Sequence, residues 1–202
     1  MNSGARDALK ATAHAVATIL IAPMLASFAV RRRVLGADRA LEGSSQLLAL
    51  VPGVFGQYLR RAFLARVLDY CDRSATIEFG TIFSEVRARI DARAYIGPRC
   101  HLGRVHIEHD ALVADGVHVP SGPATHGIDR LGVPIREQAG DRRLVRIGAG
   151  AWIGSAAIVM ADVGREAVVG AGAVVTKPLA DRVIAGGVPA RVLRVRGESI
   201  AV

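Results

Sequence analysis

Aromatic residues are scarce in this 202-residue chain and make up only 4% of it, although 51% of the residues are hydrophobic. This scarcity excludes a core of ordinary mixed composition, so the interior has to be filled by Val, Ile, Leu and Ala. Glycine is plentiful, with 22 residues, and supplies many tight backbone turns. The composition therefore favours a repetitive β architecture.

Lysine is also nearly absent, since only Lys10 and Lys177 occur, and the net charge of +8 comes almost wholly from arginine. The arginines are scattered except at 31–33, and no basic stripe is interleaved with aromatic residues, which argues against nucleic acid as a partner. The two cysteines, Cys71 and Cys100, lack the spacing of a metal site or of a disulfide framework. Such cysteine usage is typical of a reducing compartment.

A long uncharged run extends from Ala11 to Val30 and is followed at once by the arginines 31–33. As a helix this run would be about 30 Å long, which matches the hydrocarbon core of a bilayer. Arginines directly after the run favour membrane attachment, with the rest of the chain on the cytoplasmic side, over a cleaved signal peptide. A buried helix of a soluble bundle stays open as an alternative.

A second uncharged run, residues 43–59, is interrupted by proline and glycine, which favours a broken, re-entrant or interfacial segment. The stretch 59–68 that follows is amphipathic and basic, as in helices that lie at a lipid headgroup surface. We therefore predict that residues 1–70 form an N-terminal hydrophobic helical membrane anchor. Whether the two runs span the bilayer, form a hairpin or lie in the interface stays open.

In the second half, aliphatic residues recur every six positions, a period that neither a helix nor simple alternation along a strand produces. The series consists of Ile90, Ile96, Leu102, Ile107, Val113, Val119, Ile147, Ile153, Val159, Val163, Val169 and Val175, preceded by Ile77 and Phe83. A glycine often follows the aliphatic residue, and a small residue lies four positions after it. The pattern predicts a triangular solenoid of short parallel strands, in which each strand directs one aliphatic residue inward.

The six-residue period is broken at three places. The intervals 102–107 and 159–163 are too short by one and two residues, and we interpret them as local contractions of a coil. Between Val119 and Ile147 the period is interrupted by a much longer insert, which predicts an excursion loop over residues 120–146. Loops that leave a rigid scaffold commonly carry the chemistry.

Parts of the repeat region resemble the hexapeptide-repeat acyltransferases, closest to the galactoside, maltose and polysaccharide O-acetyltransferase branch. The stretches that carry the resemblance are Val145–Ser155, Val168–Lys177 and Gly186–Arg191. The resemblance covers residues 75–196 and implies a mainly β fold, a left-handed parallel β-helix domain over residues 71–196. This domain would follow the α-helical membrane-associated segment and precede a C-terminal tail at 197–202.

The resemblance also implies a homotrimer with its active sites in the grooves between neighbouring prisms, acetyl-CoA as the acyl donor and no metal. In the family a histidine on the excursion loop removes the proton from the acceptor hydroxyl, and the matching residue is His126. An imidazole suits this role because its pKa lies near neutrality. Asp129 or a backbone carbonyl would orient the ring, and His101, Arg104 and Asp129 are candidate substrate contacts.

Seven positions match the family's cofactor contacts, namely Trp152, Ser155, Ala171, Thr176, Lys177, Arg191 and Arg194. The only tryptophan, Trp152, would flank the pantetheine or the reaction centre, with packing against the loop as the alternative. Lys177, Arg191 and Arg194 would bind the CoA phosphates, the lysine as a point charge and the arginines as planar forks.

Together these features predict an O-acetyltransferase that moves an acetyl group from acetyl-CoA to a sugar hydroxyl. An anchor would place it on the cytoplasmic face of the inner (plasma) membrane, which favours an acceptor in a cell-surface polysaccharide or its lipid-linked precursor. Two alternatives stay open. The spacing of His101 and His106 resembles the zinc site of γ-class carbonic anhydrases, which share the β-helix, and a non-catalytic trimeric scaffold at the membrane would use the same fold.

Overall fold

The computed structural model describes residues 3–197, and its first third is helical. The helices are α1 (Ser3–Leu20), α2 (Ala22–Leu35), α3 (Ala37–Ala49) and α4 (Gly53–Val67). Pro23 lies in the first turn of α2, where a missing N–H is tolerated, and Pro52 immediately precedes α4. The tail predicted at 197–202 lies outside the described residues except for Gly197.

Short strands make up the rest of the chain. They are β1 (Tyr70–Cys71), β2 (Thr76–Ile77), β3 (Ile82–Phe83), β4 (Arg89–Ile90), β5 (Tyr95–Ile96), β6 (His101–Leu102), β7 (Val105–Ile107), β8 (Leu112–Val113), β9 (His118–Val119), β10 (Val145–Ile147), β11 (Trp152–Ile153), β12 (Ile158–Val159), β13 (Val168–Val169), β14 (Val174–Val175), β15 (Val183–Gly186) and β16 (Arg191–Val195). A 3₁₀ turn at Ile135–Glu137 lies between β9 and β10.

The strands form the three sides of a prism. Sheet A has the order β1-β4-β7-β10, sheet B the order β2-β5-β8-β11-β13-β15-β16, and sheet C the order β3-β6-β9-β12-β14. Neighbouring strands are parallel except for β15 and β16, which are antiparallel. The prediction of a parallel β-solenoid is confirmed, with about six coils.

The core of the prism consists of stacked ladders of the aliphatic residues that define the period. On sheet B the ladder is Ile77, Ile96, Val113, Ile153, Val169 and Ala185. Every aliphatic position predicted from the period is at most 2% exposed. The glycines that follow permit the close approach of neighbouring coils, since a Cβ on Gly154 would fall 2.5 Å from the backbone nitrogen of Ala171.

All departures from the six-residue spacing fall at one corner of the prism, where the chain passes from sheet C to sheet A. Both contractions, 102–107 and 159–163, lie there. The excursion loop leaves from the same corner, and it ends slightly earlier than predicted because buried Val145 already pairs with Val105. We refer to this edge, the passage from sheet C to sheet A in each coil, as the variable corner.

Helix α3 covers the first coil at the N-terminal end of the prism. The Ser45 hydroxyl oxygen accepts a hydrogen bond from the Phe83 N–H at 2.8 Å, and an Asp38 carboxylate oxygen accepts one from the Val86 N–H at 2.9 Å. In later coils, backbone N–H groups at this edge form hydrogen bonds with the preceding coil. The helix therefore supplies partners that the first coil would otherwise lack.

Helix α4 carries the basic stretch 59–68, whose pattern predicted a position at a lipid headgroup surface. Two of its arginines are instead inside the protein, since Arg60 is 1% exposed and Arg61 is 9% exposed. Arg60 Nε donates to the Ile77 carbonyl at 2.9 Å, and Arg61 Nη1 donates to the Ala75 carbonyl at 2.8 Å. The physical reason is that the open end of a solenoid presents carbonyl oxygens, which bind a guanidinium in place of water.

Helices α1 and α2 pack on the outer side of α4 and α3 respectively. No single helix among residues 3–197 is long and apolar enough to cross a membrane. The segments Ala11–Leu20 and Ala22–Leu35 meet the length and composition criteria only as a pair, and this pair is bent by 49°. Exposed apolar side chains on these helices are Leu9, Val16, Ile19, Leu20, Val30, Val34 and Leu35.

Candidate active site

A cleft of about 430 Å³ lies at the variable corner and has three walls: helix α3, the outer face of sheet C and the base of the excursion loop. The lining residues are Asp38, Arg39 and Glu42 from α3, Ser84, Glu85, His101, His118 and Val119 from sheet C and its corner, and Pro120, Ser121, Thr125, His126 and Arg142 from the loop. The helical region therefore contributes directly to this cleft.

His126 lies on the first limb of the excursion loop, exposed to solvent in the cleft. The two limbs of the loop are joined near it, because the Asp141 N–H donates to the Ala124 carbonyl at 2.7 Å. A Cβ on Gly140 would fall 2.5 Å from the His126 backbone nitrogen, so the limbs touch at this point. This contact holds the backbone of His126 in place.

The far part of the loop is ordered around one amide side chain. Gln138 is 7% exposed, and its Nε2 donates to the carbonyls of Arg130 and Val133 at 2.9 and 3.0 Å. The Arg130 N–H donates back to its Oε1 at 3.0 Å. Asp129, the predicted partner of the base, is exposed in this part of the loop and does not line the cleft.

Two histidines project from sheet C into the cleft. His101 and His118 are register partners on β6 and β9, and their rings stack with centroids 5.1 Å apart and an interplanar angle of 13°. Partial burial lowers the pKa of His118 below 6.5, and the nearby His101 lowers it further. Both effects favour the neutral form of the His118 ring. The sequence prediction included His101 alone, although the period places His118 at the equivalent position of the next coil.

The floor of the cleft contains a buried carboxylate, Glu85, whose side chain is 3% exposed. Arg104 Nε donates to its Oε2 at 2.9 Å, and the Ser121 hydroxyl donates to its Oε1 at 2.8 Å. Arg142 Nη1 approaches the same Oε1 at 3.6 Å. Arg104, predicted as a substrate contact, is thus bound to Glu85, and it does not line the cleft. Glu85 was not predicted, because it lies outside the regular positions of the repeat.

The seven residues that match cofactor contacts lie elsewhere on the prism, outside this cleft. Trp152, Arg191 and Arg194 are on sheet B, Ser155 and Ala171 are in turns between sheets B and C, and Thr176 and Lys177 are at the variable corner. All except Ser155 are exposed. The Ser155 hydroxyl donates to Asp115 Oδ1 at 2.5 Å, and this bond is the main cause of the lowered pKa of Asp115.

A second cleft, of about 230 Å³, lies at the variable corner on another side of the excursion loop. Pro123 and Arg143 from the loop limbs line it together with Met160 and Thr176 from later coils. Thr176, one of the predicted cofactor contacts, therefore lines a cleft that is bordered by the excursion loop. The loop has an open cavity on both of its sides.

The outer face of sheet B is apolar. Tyr95, Leu112 and Trp152 form a ladder in register and are 37%, 43% and 52% exposed. Val168 and Ile184 continue this ladder toward the C-terminal end. Contiguous exposed apolar surface of this kind is typical of an interface.

The histidines that suggested a zinc site lie on different faces of the prism. His101 is on sheet C, whereas His106 is on sheet A, where its Nε2 lies 2.9 Å from Asp91 Oδ2. Among residues 3–197, no group of three or more His, Cys, Asp or Glu side chains is arranged to hold a metal ion.

No protein-family model matches the chain. Among solved structures, the chain is similar to a maltose O-acetyltransferase from Clostridium difficile 630, at 20% identity and a TM-score of 0.67, over 80% of this chain and 89% of that one. It is also similar to a single-residue mutant of AntD, an N-acyltransferase from Bacillus cereus, in complex with dTDP-4-amino-4,6-dideoxyglucose and coenzyme A, at 22% identity and a TM-score of 0.54, over 61% of this chain and 71% of that one.

A further structure of AntD, in complex with dTDP and 3-hydroxybutyryl-CoA, matches at 21% identity and a TM-score of 0.53 over 60% of this chain and 69% of that one. At these identities the likeness is one of fold. It confirms the parallel β-solenoid that the period predicted and the left-handed β-helix that the resemblance implied.

Proposed function

We propose that this protein is an acetyl-CoA-dependent O-acetyltransferase that acts on a sugar hydroxyl, with His126 as the general base. One observation carries the proposal: His126 lies on the excursion loop of an acyltransferase-type β-helix and opens into a cleft with polar walls. The AntD structures, which contain coenzyme A or an acyl-CoA, support a CoA thioester as the donor. The maltose O-acetyltransferase supports a sugar as the acceptor.

The chemical step needs only one proton carrier. The acceptor oxygen attacks the thioester carbonyl carbon while the His126 imidazole takes the hydroxyl proton. The tetrahedral intermediate then collapses, the carbon–sulfur bond breaks, and the imidazolium returns its proton to the departing CoA sulfur. A positioned general base of this kind contributes about 10²–10⁴-fold to the rate.

The walls of the cleft suit a polyhydroxylated acceptor. The carboxylates of Asp38 and Glu42 on α3 can accept hydrogen bonds from sugar hydroxyls, and Arg142 and Arg39 can donate to ring or carbonyl oxygens. A neutral His118 can do either, according to its tautomer. Specificity for the acceptor would therefore depend on α3 as well as on the repeat.

We also propose a homotrimer in which sheet B of one copy faces the variable corner of the next. Two features support this assembly. The residues that match cofactor contacts do not line the cleft of their own chain, and the ladder of Tyr95, Leu112 and Trp152 leaves sheet B apolar. In the trimer, acetyl-CoA would bind between copies, held by Trp152, Ser155, Ala171, Thr176, Lys177, Arg191 and Arg194.

The proposed acceptor is a cell-surface polysaccharide or its lipid-linked precursor, modified at the cytoplasmic face of the inner membrane. Support comes from the exposed apolar side chains of α1 and α2, such as Ile19 and Val34. Helix α3 belongs to the same helical layer and also lines the cleft. An acceptor that is anchored in lipid would therefore reach His126 from the side of the helices.

The test incubates the purified protein with labelled acetyl-CoA and, separately, lipid-linked glycans and soluble sugars. Acetylated products are identified by mass spectrometry. We expect transfer to the lipid-linked glycans that is lost in His126→Ala and retained in His109→Ala, since His109 is exposed in a turn away from the cleft. Equal transfer by the two variants would remove His126 as the base. Acetylation of soluble sugars alone would contradict the lipid-linked acceptor.

A further inference from the structure

A further cavity, of about 290 Å³, lies between α1 and α4 and shares no lining residue with the cleft of His126. Its ionisable lining consists of His14 on α1, Arg61 and Arg66 on α4, and Arg73 in the turn after β1. Alanine side chains of the two helices form most of the remaining wall. The charged side chains in its described lining are therefore all cationic.

Arg61 is buried in this cavity with part of its hydrogen-bonding capacity unused. Its Nη1 donates to the Ala75 carbonyl at 2.8 Å, and its guanidinium lies over the Tyr58 ring at 4.7 Å. Its Nε is buried as well, but has no hydrogen-bond partner among the side chains and backbone that the structure describes. Leaving a charged N–H donor buried and unpaired is costly unless a ligand completes it.

The other two arginines likewise have no carboxylate partner among the described residues. Arg66 donates to the Ala62 carbonyl at 2.6 Å and to the Thr18 hydroxyl at 3.0 Å, and neither acceptor carries a charge. Within the described part of the chain, Arg61, Arg66 and Arg73 form no ion pair with a carboxylate. Three guanidinium groups thus line this cavity, whose described lining contains no carboxylate; Arg66 and Arg73 also border a neighbouring cavity that is lined by Asp69 and Asp72.

His14 lies in the same cavity, and its pKa is affected by the same arginines. Its ring packs edge-on against Tyr58, with centroids 4.9 Å apart. Burial lowers the pKa of His14, and the charges of Arg61 and Arg73 lower it further. An added proton is disfavoured at this position mainly because the ring is partly buried, and the two arginines add to the effect.

We propose that the cavity between α1 and α4 is a binding site for a phosphate group. Guanidinium forks match the oxygens of a phosphate, and a partly buried site of this kind strengthens each charge-assisted hydrogen bond. The side chain of Arg73, which has no hydrogen-bond partner among the described residues, supplies free donors, and Arg61 and Arg66 add positive charge to the lining. The inference is independent of the proposed acetyl transfer, since it rests on residues outside the cleft of His126.

The phosphate belongs either to a phospholipid headgroup or to a soluble molecule. The outer face of α1 carries the exposed apolar side chains of Val16, Ile19 and Leu20. An amphiphile could place its phosphate between the helices and its acyl chains against this face. Binding experiments with phospholipid vesicles and with inorganic phosphate distinguish the two sources.

The test uses the full chain and a pair of double variants with the same loss of charge. Arg66→Gln with Arg73→Gln empties the cavity of two guanidinium groups but keeps Arg61, which also binds the Ala75 carbonyl. Arg32→Gln with Arg33→Gln, on the exposed side of α2, is the matched control. The probes are inorganic phosphate, followed by calorimetry at constant ionic strength, and phosphatidylcholine vesicles with or without phosphatidic acid, followed by cosedimentation.

We expect the cavity variant to bind at least one phosphate probe about tenfold more weakly than the control does. A selective loss of binding to the phosphatidic acid vesicles identifies a lipid headgroup as the source. Loss of inorganic phosphate binding with unchanged vesicle binding identifies a soluble phosphate. Identical behaviour of the two variants with both probes overturns the proposal. Circular dichroism verifies that each variant is folded. If the double variant is unstable, Arg73→Gln alone replaces it, because the Arg73 side chain makes no hydrogen bond within the described residues and its loss should not disturb the fold.

Discussion

Two corners of the prism are built alike in every coil, whereas the third varies from coil to coil. Between sheets A and B, and between sheets B and C, the inward residues stay six apart, and adjacent backbones nearly touch at glycines such as Gly148 and Gly154. At the variable corner the spacing changes, and the excursion loop, the cleft and the buried Glu85 lie there. The regular corners therefore maintain the stack, and the third is free to carry a site.

The largest effect is expected when the proposed base is removed from the variable corner. For His126→Ala we expect acetyl transfer to fall about 10²–10⁴-fold with an unchanged melting temperature, because the side chain is exposed. Enzyme kinetics and circular dichroism measure the two quantities. A fall in melting temperature equal to that of a core variant would mean that this corner also maintains the stack.

The next effect concerns the floor of the cleft. Glu85→Gln removes the charge that pairs with Arg104, and we expect a loss of about 3 kcal/mol in the free energy of unfolding, since Arg104 is left largely buried without its partner. Urea denaturation measures the loss. The control is Glu137→Gln on the excursion loop, whose pairing with Arg136 is exposed and should contribute little. Equal losses in the two variants would show that Glu85 is not a structural part of the corner.

A smaller effect is expected when a methyl group is added at a regular corner. In Gly154→Ala the new Cβ would fall 2.5 Å from the Ala171 nitrogen, and separating the two coils should cost about 1–3 kcal/mol. Gly170→Ala is a close control, because the nearest atom to its Cβ, the Ala185 oxygen, is 3.5 Å away. Thermal unfolding compares them. If the two variants have the same melting temperature, the close approach of neighbouring coils is not the reason that glycine is required at these corners.

The smallest effect is a dependence of stability on pH. Because the pKa of His118 is lowered in the folded state, the unfolded chain binds more protons as the pH falls below about 6.5, and the free energy of unfolding decreases there. It becomes constant again below the folded pKa. His118→Gln should flatten this acid limb in urea titrations at several pH values. His14 shifts in the same direction, so His14→Gln with His118→Gln should flatten the limb further.

The repeat could be predicted position by position because coil geometry fixes both the six-residue spacing and the inward direction of each aliphatic residue. The excursion loop was found by the same rule, as the place where the period stops. The walls of the cleft could not be predicted, since Glu42 on α3 and His118 on sheet C meet only through packing of segments remote in the chain. The burial of Arg60 was missed for a related reason. Its acceptors, among them the Ile77 carbonyl, come together only when α4 closes the first coil.

The docking of α3 on the first coil also couples occupancy of the cleft to the opening of that end of the prism. A molecule that binds both α3 and sheet C favours the closed arrangement by mass action. Two backbone amides report on this directly, since the N–H groups of Phe83 and Val86 are protected only while Ser45 and Asp38 are in place. Hydrogen exchange at these two amides should slow as the acceptor concentration rises. The exchange rates of the first coil therefore measure acceptor binding without an added label.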